Sequence, residues 1–302
     1  MNDKTTEPIE PSGPVLKIYK KRSMLGEVFY NLRKNVGAMI GLGIICFMIL
    51  MAVFSILFIS WDSVTTTNVT ARFTPPGREY LFGTDSYGRN MLLRIVYGTR
   101  YSLIIGFVTI GISSIIGSTI GSFAAYYGRS TDNIIMRIID IISSIPGLLL
   151  GLVIVSVLGQ SLRNLIIAVT IAYIPSFTRI SRASILTVKN HEFVEAARAT
   201  GLSRTRIIFT QVLPNGLSPI IVQITVNLGQ AIIMAASLSF MGYGVPVPAP
   251  EWGGLISTGR EFARNAPWLM AFPGVFVMLI VLALNQLGDG LRDALDPKMK
   301  RR

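Results

Sequence analysis

The chain has 302 residues, of which 51% are hydrophobic and only 15% are charged, and its mean hydropathy is +0.55. A soluble domain of this length carries more charge, so the composition indicates a helical integral membrane protein. The net charge of +12 does not indicate nucleic-acid binding, because the basic residues lie in segments that flank apolar blocks. One cysteine, Cys46, and one histidine, His191, exclude a disulfide framework and argue against a metal site, so we expect no metal.

Six apolar blocks predict six transmembrane helices. All but the short fourth block reach the ~20 residues that cross a hydrocarbon core. They cover residues 36–60, 101–127, 132–159, 165–177, 216–241 and 268–287, and Pro146-Gly147 breaks the third. The chain therefore divides into a basic N-terminal segment at 1–35, the first helix at 36–60, an external loop at 61–100, a core at 101–290 that includes a cytoplasmic loop at 190–214, and a tail at 291–302.

The basic residues indicate the orientation of these spans. Six spans place both termini on one side, and most of the 28 Lys and Arg residues lie on that side. The positive-inside rule then predicts a multi-pass protein of the cytoplasmic (inner) membrane with both termini in the cytoplasm. The external loop runs against this bias with five arginines. We predict that Arg89, Arg94 and their apolar neighbours form a helix along the outer interface.

The loop between the fourth and fifth blocks is polar and basic, and reads EFVEAARATGLSRTRIIFTQVLP over residues 192–214. Its first part, 192–200, is predicted to be a helix rich in Glu, Ala and Arg. Gly201 is expected to end that helix, and Ser203 is expected to cap a second short helix. The sequence therefore predicts a helix-turn-helix elbow in water beside the membrane bundle.

Within this elbow, Glu195-Ala196-Ala197, Gly201 and Leu213-Pro214 follow a spacing that resembles the EAA loop of permease subunits in bacterial ABC importers. Gln211 departs from the pattern, which has an apolar residue there. In that family the loop is a coupling helix inserted into a groove of the nucleotide-binding subunit; an ordinary solvated loop is the alternative. The resemblance assigns contact with an ATPase subunit to Glu192, Glu195, Ala196, Ala197, Gly201, Leu213 and Pro214.

Four further stretches, at 82–103, 136–150, 237–256 and 284–297, resemble permeases of the dipeptide/oligopeptide/nickel class, in particular the second, C-type subunit. This resemblance implies the type I ABC importer permease fold, all-α with six transmembrane helices and a cytoplasmic coupling elbow. It implies a heterodimer with a homologous permease, two ATPase subunits that use ATP and Mg, and an extracytoplasmic substrate-binding protein. The implied cargo is a di- or oligopeptide, with nickel chelates and glutathione as alternatives.

The chain itself is expected to bind no cofactor and to catalyse no reaction, since it carries no Walker A pattern and no Ser/His/Asp arrangement. An ion-coupled secondary transporter is the rival from another class. Such a transporter is expected to show intramembrane acids or inverted repeats. Asp140 is the one candidate acid, and we predict that it forms a structural ion pair with Arg137, Arg179 or Arg182, a proton relay being the alternative.

Polar side chains recur on one face of the fifth span at helical spacing. Because a polar face is costly against lipid, it should point at protein or at water. Lining of a translocation pathway and hydrogen bonding between packed helices both remain open, although amide side chains would suit a peptide backbone. The pathway candidates are Gln223, Asn227, Gln230, Met234 and Ser237.

The loop between the fifth and sixth spans is rich in proline and glycine and is predicted to be external. In the family that this chain resembles, the external side receives the substrate-binding protein. Glu251 and Trp252 are therefore candidates for docking that protein. An interfacial anchor in the lipid headgroup region is the alternative for Trp252.

Overall fold

The structure is a computed structural model that describes residues 24–295. Residues 1–23 of the predicted leader and 296–302 of the predicted tail lie outside the described residues. The described chain forms α1 Met24–Lys34, α2 Val36–Phe58, α3 Trp61–Thr65, α4 Met91–Tyr127, α5 Arg129–Ser143, α6 Gly147–Leu158, α7 Leu162–Val188, α8 Glu192–Ala199, α9 Arg204–Ile207, α10 Leu213–Asn215, α11 Leu217–Phe240, α12 Trp252–Gly259 and α13 Trp268–Leu295.

Five helices, α2, α4, α7, α11 and α13, are long and apolar enough to cross a membrane. The pair α5–α6 passes the same test together, but its two helices are bent by 80°. Counted as one span, this pair completes the six predicted spans. The bend falls at the predicted Pro146-Gly147, because proline disfavours helical backbone at the residue before it, Ile145.

The second span begins earlier than predicted. α4 starts at Met91, ahead of the expected position 101, because the Asn90 side chain accepts two backbone N–H groups of the first turn. The separate interfacial helix predicted around Arg89 and Arg94 is therefore wrong. Arg94 is only 1% exposed, and its Nη1 lies 3.1 Å from Asp85 Oδ2. A paired arginine can be buried, so this charge did not mark the start of the span.

The fourth and sixth spans extend beyond their predicted ends. α7 continues past position 177 because the two arginines beyond that position are paired: Arg179 with Asp140 at 3.0 Å, and Arg182 with Asp132 at 2.6 Å. α13 runs on to Leu295, past the predicted end of the core at 290. The short helix α1 before the first span was not predicted.

Small residues bring α4 and α7 close together. A Cβ built on Gly117 would lie 2.6 Å from Phe177 Cβ and 2.8 Å from the carbonyl oxygen of Ile174. One turn further, a Cβ on Gly121 would meet the carbonyl oxygen of Thr178. Real side chains do not fit at such distances, so glycine is needed at both positions for these backbones to approach. The pair forms the frame on which the loop between α7 and α11 is seated.

Candidate functional site

The loop between α7 and α11 has the predicted helix-turn-helix form. α8 is followed by Gly201, which turns the chain with a φ of +79°, a left-handed conformation that glycine adopts without a steric penalty. Ser203 Oγ accepts the backbone N–H of Arg206 at 3.4 Å and caps α9. The chain then passes through a π-helical segment, Ile208–Val212, and α10 before it enters α11. We call residues 192–214 the elbow.

The inner face of the elbow packs against the chain's own spans. Apolar side chains of the elbow join the C-terminal ends of α4 and α7 in one small core, which we call the elbow core. Ala197 belongs to it and is only 9% exposed, so this alanine offers little surface to a partner. The ATPase contact of Ala197 stays a prediction. The elbow core consists of Val194, Ala197, Ile207 and Val212 with Ala125, Ile185 and Val188.

The outer face of α8 is exposed and acidic. Glu192, Glu195 and Ala196 are all exposed, and their spacing places them together on one side of the helix. Gly201 is exposed as well, and no other atom lies within 4 Å of a Cβ built on it. Four of the predicted coupling residues are therefore left uncovered by the chain itself.

The far end of the elbow is tied back to α7. Leu213 packs against the elbow core, whereas Pro214 is exposed. Ser184 Oγ in α7 donates a hydrogen bond to the carbonyl oxygen of Gly216 at 2.7 Å. Lys189 Nζ donates to the carbonyl oxygen of Ala125 at 2.8 Å and joins the ends of α7 and α4. These ties and the elbow core join the elbow to both spans.

The polar face of α11 contains a hydrogen-bonded cluster. Gln223 Nε2 donates to Asn227 Oδ1 at 3.0 Å, and Asn227 Nδ2 donates to Ser176 Oγ of α7 at 3.3 Å. Asn227 is 5% exposed and thus joins two packed helices, whereas Gln223 also faces open space. Further along the same helix Gln230 is exposed, and Met234 and Ser237 are half-buried. The structure therefore gives a packing role to Asn227 and leaves the others accessible.

A cleft that the sequence reading missed lies beside this cluster. Its volume is about 530 Å³, and it is bounded by the bend between α5 and α6, by α7 and by Gln223 of α11. Arg179 lines the cleft and forms the predicted ion pair with Asp140, whose side chain is 65% exposed. The Pro146-Gly147 break was the available signal, because a bent span leaves a gap between neighbouring helices.

The predicted docking residues in the loop between α11 and α13 are buried. Trp252 is 0% exposed, and its Nε1 donates to the carbonyl oxygen of Ile95 at 3.0 Å. Glu251 is 2% exposed and caps α12 by accepting the backbone N–H groups of Gly253 and Gly254, each at 2.9 Å. Burial raises the pKa of the Glu251 carboxyl. Neither side chain can form a docking surface in this conformation, so this expectation is wrong.

A buried ion-pair cluster on the same side was not anticipated. Asp85 Oδ2 lies 2.7 Å from Arg89 Nε and 3.1 Å from Arg94 Nη1, and all three residues are buried. The cluster fixes the 61–100 loop onto the start of α4. Its sequence signal was an acid four residues before an arginine, a spacing that is common on exposed surfaces too. Within residues 24–295, no group of three or more His, Cys, Asp or Glu side chains is gathered in a way that suits a metal ion.

These features define a class: a multi-pass helical membrane protein that carries a compact polar elbow seated on two of its spans. A family described as "Binding-protein-dependent transport system inner membrane component" matches residues 117–301. A second description, "N-terminal TM domain of oligopeptide transport permease C", matches residues 23–76. The chain belongs to this family of inner membrane components of binding-protein-dependent transport systems.

Named relatives cover almost the whole chain. It is 47% identical over 98% of its length to the dipeptide transport system permease protein DppC of Alkalihalophilus pseudofirmus, 96% of which is covered. It is 41% identical to the DppC protein of Haemophilus influenzae, with 94% of this chain and 98% of the relative covered. The oligopeptide transport system permease protein OppC of Bacillus subtilis is 38% identical, with 96% and 95% covered.

Among solved structures, the inward-facing MetNI methionine ABC transporter has a chain that superposes with a TM-score of 0.57. The two are 20% identical, and the match covers 68% of this chain and 98% of the other. This likeness shows the fold alone: the type I ABC importer permease fold expected from the sequence.

Proposed function

We propose that this chain is the permease subunit of an ATP-driven importer that moves di- or oligopeptides across the cytoplasmic membrane. Its relatives are named for dipeptide and oligopeptide transport, which favours peptides over nickel chelates or glutathione. The working complex would contain a homologous permease as the second half of a heterodimer, two ATPase subunits and an extracytoplasmic substrate-binding protein. ATP and Mg would be used by the ATPase subunits, and both termini of this chain would lie in the cytoplasm.

The observation that carries this proposal is the division of the elbow into two faces. The inner face is fixed to α4 and α7 through the elbow core. The outer face leaves Glu192, Glu195 and Ala196 uncovered, and two carboxylates beside a small side chain suit a partner groove that offers cations. A force applied by an ATPase at the outer face would therefore reach the spans through the inner face.

The mechanism follows from this connection. Closure of the ATPase pair on ATP would move the elbow as a lever, and the spans would rock between inward-open and outward-open states. The bend in the α5–α6 pair and the cleft beside Gln223 lie where such a motion would alter access. Gln223, Gln230, Met234 and Ser237 remain the candidates for the pathway, while Asn227 holds α11 against α7.

Charge reversal at the outer face tests the coupling. In the complex reconstituted in vesicles with its binding protein, we expect Glu195→Lys to reduce ATP-dependent peptide uptake and ATPase retention at least tenfold. A like-charge contact at an interface costs several kcal/mol, and about 1.4 kcal/mol is already tenfold. Gly201→Pro is a poorer test, because proline cannot adopt the φ of +79° and would disturb the elbow itself.

The matched control is Glu79→Lys, the same change at an exposed glutamate in the 61–100 loop. It should leave ATPase retention unchanged. Full retention and normal uptake in Glu195→Lys would show that this face is not the contact. Uptake that persisted without any ATPase subunit, driven by an ion gradient, would instead assign the chain to secondary transport.

A further inference from the structure

A second cavity lies between the end of α4 and the elbow. Its volume is about 430 Å³. The lining combines aromatic, cationic and aliphatic side chains: two tyrosines come from α4, and two arginines and two aliphatic residues come from the elbow. The lining residues are Tyr126, Tyr127, Arg198, Leu202, Arg204 and Ile207.

Both arginines are held in place without a charge partner. Arg198 Cζ lies 5.2 Å from the centre of the Tyr126 ring, and its Nε donates to the Tyr126 hydroxyl at 3.3 Å. Arg204 Cζ lies 5.8 Å from the centre of the Tyr127 ring. In the part of the chain that the structure describes, no carboxylate lies within 4.0 Å of either guanidinium. The rings position the two cations, and their charge stays available to an anion.

An aromatic strip leads from these cations towards the membrane. The Tyr127 ring stacks on Phe123, one turn deeper in α4, with centroids 6.0 Å apart and planes 5° apart. Phe209 of the elbow meets Phe123 edge-on at 6.0 Å and remains 43% exposed. The surface therefore changes from cationic at the elbow to apolar along the span within a few residues.

We propose that this cavity binds the phosphate group of an anionic phospholipid from the cytoplasmic leaflet, with an acyl chain lying along Phe123 and Phe209. The proposal rests on the cytoplasmic placement of the elbow given above. Two guanidinium groups can hold a phosphate through paired hydrogen bonds. The apolar strip favours a lipid over a free phosphate ion, which would gain nothing from it.

Such a lipid would bridge parts of the chain that belong to different elements. Arg198 lies in α8, Arg204 begins α9, and the tyrosines end α4. A phosphate bound to both arginines would fasten the elbow to α4 in addition to the elbow core. The lipid composition of the membrane would then change how firmly the elbow follows α4, without any contact with the cargo.

The test measures lipid retained by the purified complex. The complex with its partner subunits is delipidated in neutral detergent, exposed to phosphatidylglycerol or phosphatidylcholine, and weighed by native mass spectrometry. We expect phosphatidylglycerol to be retained in preference. In Arg198→Gln/Arg204→Gln retention should weaken roughly 30-fold, which corresponds to about 1 kcal/mol for each of the two arginines. Arg206→Gln removes the same charge from the same elbow outside the cavity and should retain the lipid normally.

Each alternative gives a different result. If lipid retention falls equally in the double variant and in Arg206→Gln, general surface charge and not the cavity retains the lipid, and the proposal is overturned. If the complex shows no preference among lipids but binds inorganic phosphate when that ion is added alone in excess, the cavity would be assigned to a soluble phosphate group, which would overturn the proposal. Release of the ATPase from the double variant, with lipid retention unchanged, would assign the arginines to an acidic segment of the ATPase. Because lipid retention is measured without uptake, failure here leaves the coupling test with Glu195→Lys unaffected.

Discussion

Replacing Gly117 by alanine tests the close approach of α4 and α7. A Cβ at this position would lie 2.6 Å from Phe177 Cβ and 2.8 Å from the carbonyl oxygen of Ile174, both on α7. Ordinary contact begins at 3.4 Å, so the two helices would have to separate locally by about 0.8 Å, the difference between 3.4 and 2.6 Å. Both neighbouring groups belong to a helix backbone or start at it, and neither can rotate away.

Two opposing effects set the magnitude. Alanine favours a helix interior over glycine by about 1 kcal/mol. Overpacking of a close contact costs about 1–3 kcal/mol, because a gap of this size removes a quarter to a half of the dispersion attraction nearby. Gly111 lies on the same helix with no other atom within 4 Å of a built Cβ. Gly111→Ala should therefore show only the helix-stabilising effect of alanine, without the overpacking cost. The two variants should differ by about 1–3 kcal/mol in the free energy of unfolding.

The free energy of unfolding is measured for both variants in the same detergent by titration with a denaturing detergent. Peptide uptake is measured in parallel, because the elbow core rests on the ends of α4 and α7 and should shift with them. Equal stability of Gly117→Ala and Gly111→Ala would refute the close approach. A stability loss with unchanged uptake would show that the elbow does not depend on the spacing of these helices.

Two predictions concern the buried residues of the loop between α11 and α13. Because burial raises the pKa of Glu251 above its ordinary value of 4.5, its contribution to stability is present below that value and is lost as the pH rises through the higher pKa of the folded state. The unfolding temperature of the wild-type protein should therefore fall as the pH rises above 4.5, and Glu251→Gln should make that fall smaller. An unchanged pH profile of the unfolding temperature in Glu251→Gln would contradict the raised pKa of Glu251. Trp252→Phe should cost about 1–3 kcal/mol by removing the hydrogen bond to Ile95 and leaving a cavity. Trp61→Phe, at a site 42% exposed, should change the free energy of unfolding by less than about 0.5 kcal/mol.

The elbow could be predicted because its signals are local. Gly201 breaks the helix through its own backbone freedom, and Ser203 caps a helix through a bond three residues away. The side of α8 on which each alanine lies could also have been predicted from the sequence. Ala197 lies three residues after the apolar Val194, a spacing that places both on the inner side, whereas Ala196 lies four residues after the polar Glu192, a spacing that places it on the outer side. The EAA motif includes both alanines, so a prediction made from the motif alone assigns them the same role.

The start of the second span and the end of the fourth could not be predicted because they depend on contacts between distant residues. Arg182 stays inside α7 since it is paired with Asp132, fifty positions earlier. Arg94 is buried in α4 because the loop before it folds back and presents Asp85. The burial of Trp252 depends likewise on the approach of α4. A single sequence shows a charge or an indole but not the partner that permits its burial.

Two ion pairs between α5 and α7 differ in a way that bears on the proposed lever. The Arg182–Asp132 pair has two hydrogen bonds of 2.6 Å each, and its side chains are 32% and 15% exposed. The Arg179–Asp140 pair has one bond of 3.0 Å between side chains that are 49% and 65% exposed. Bidentate, shielded pairs hold their geometry, whereas exposed single pairs contribute about 0–1 kcal/mol. We therefore expect α5 to stay attached to α7 near the elbow and to move more readily at the cleft, where the span bends.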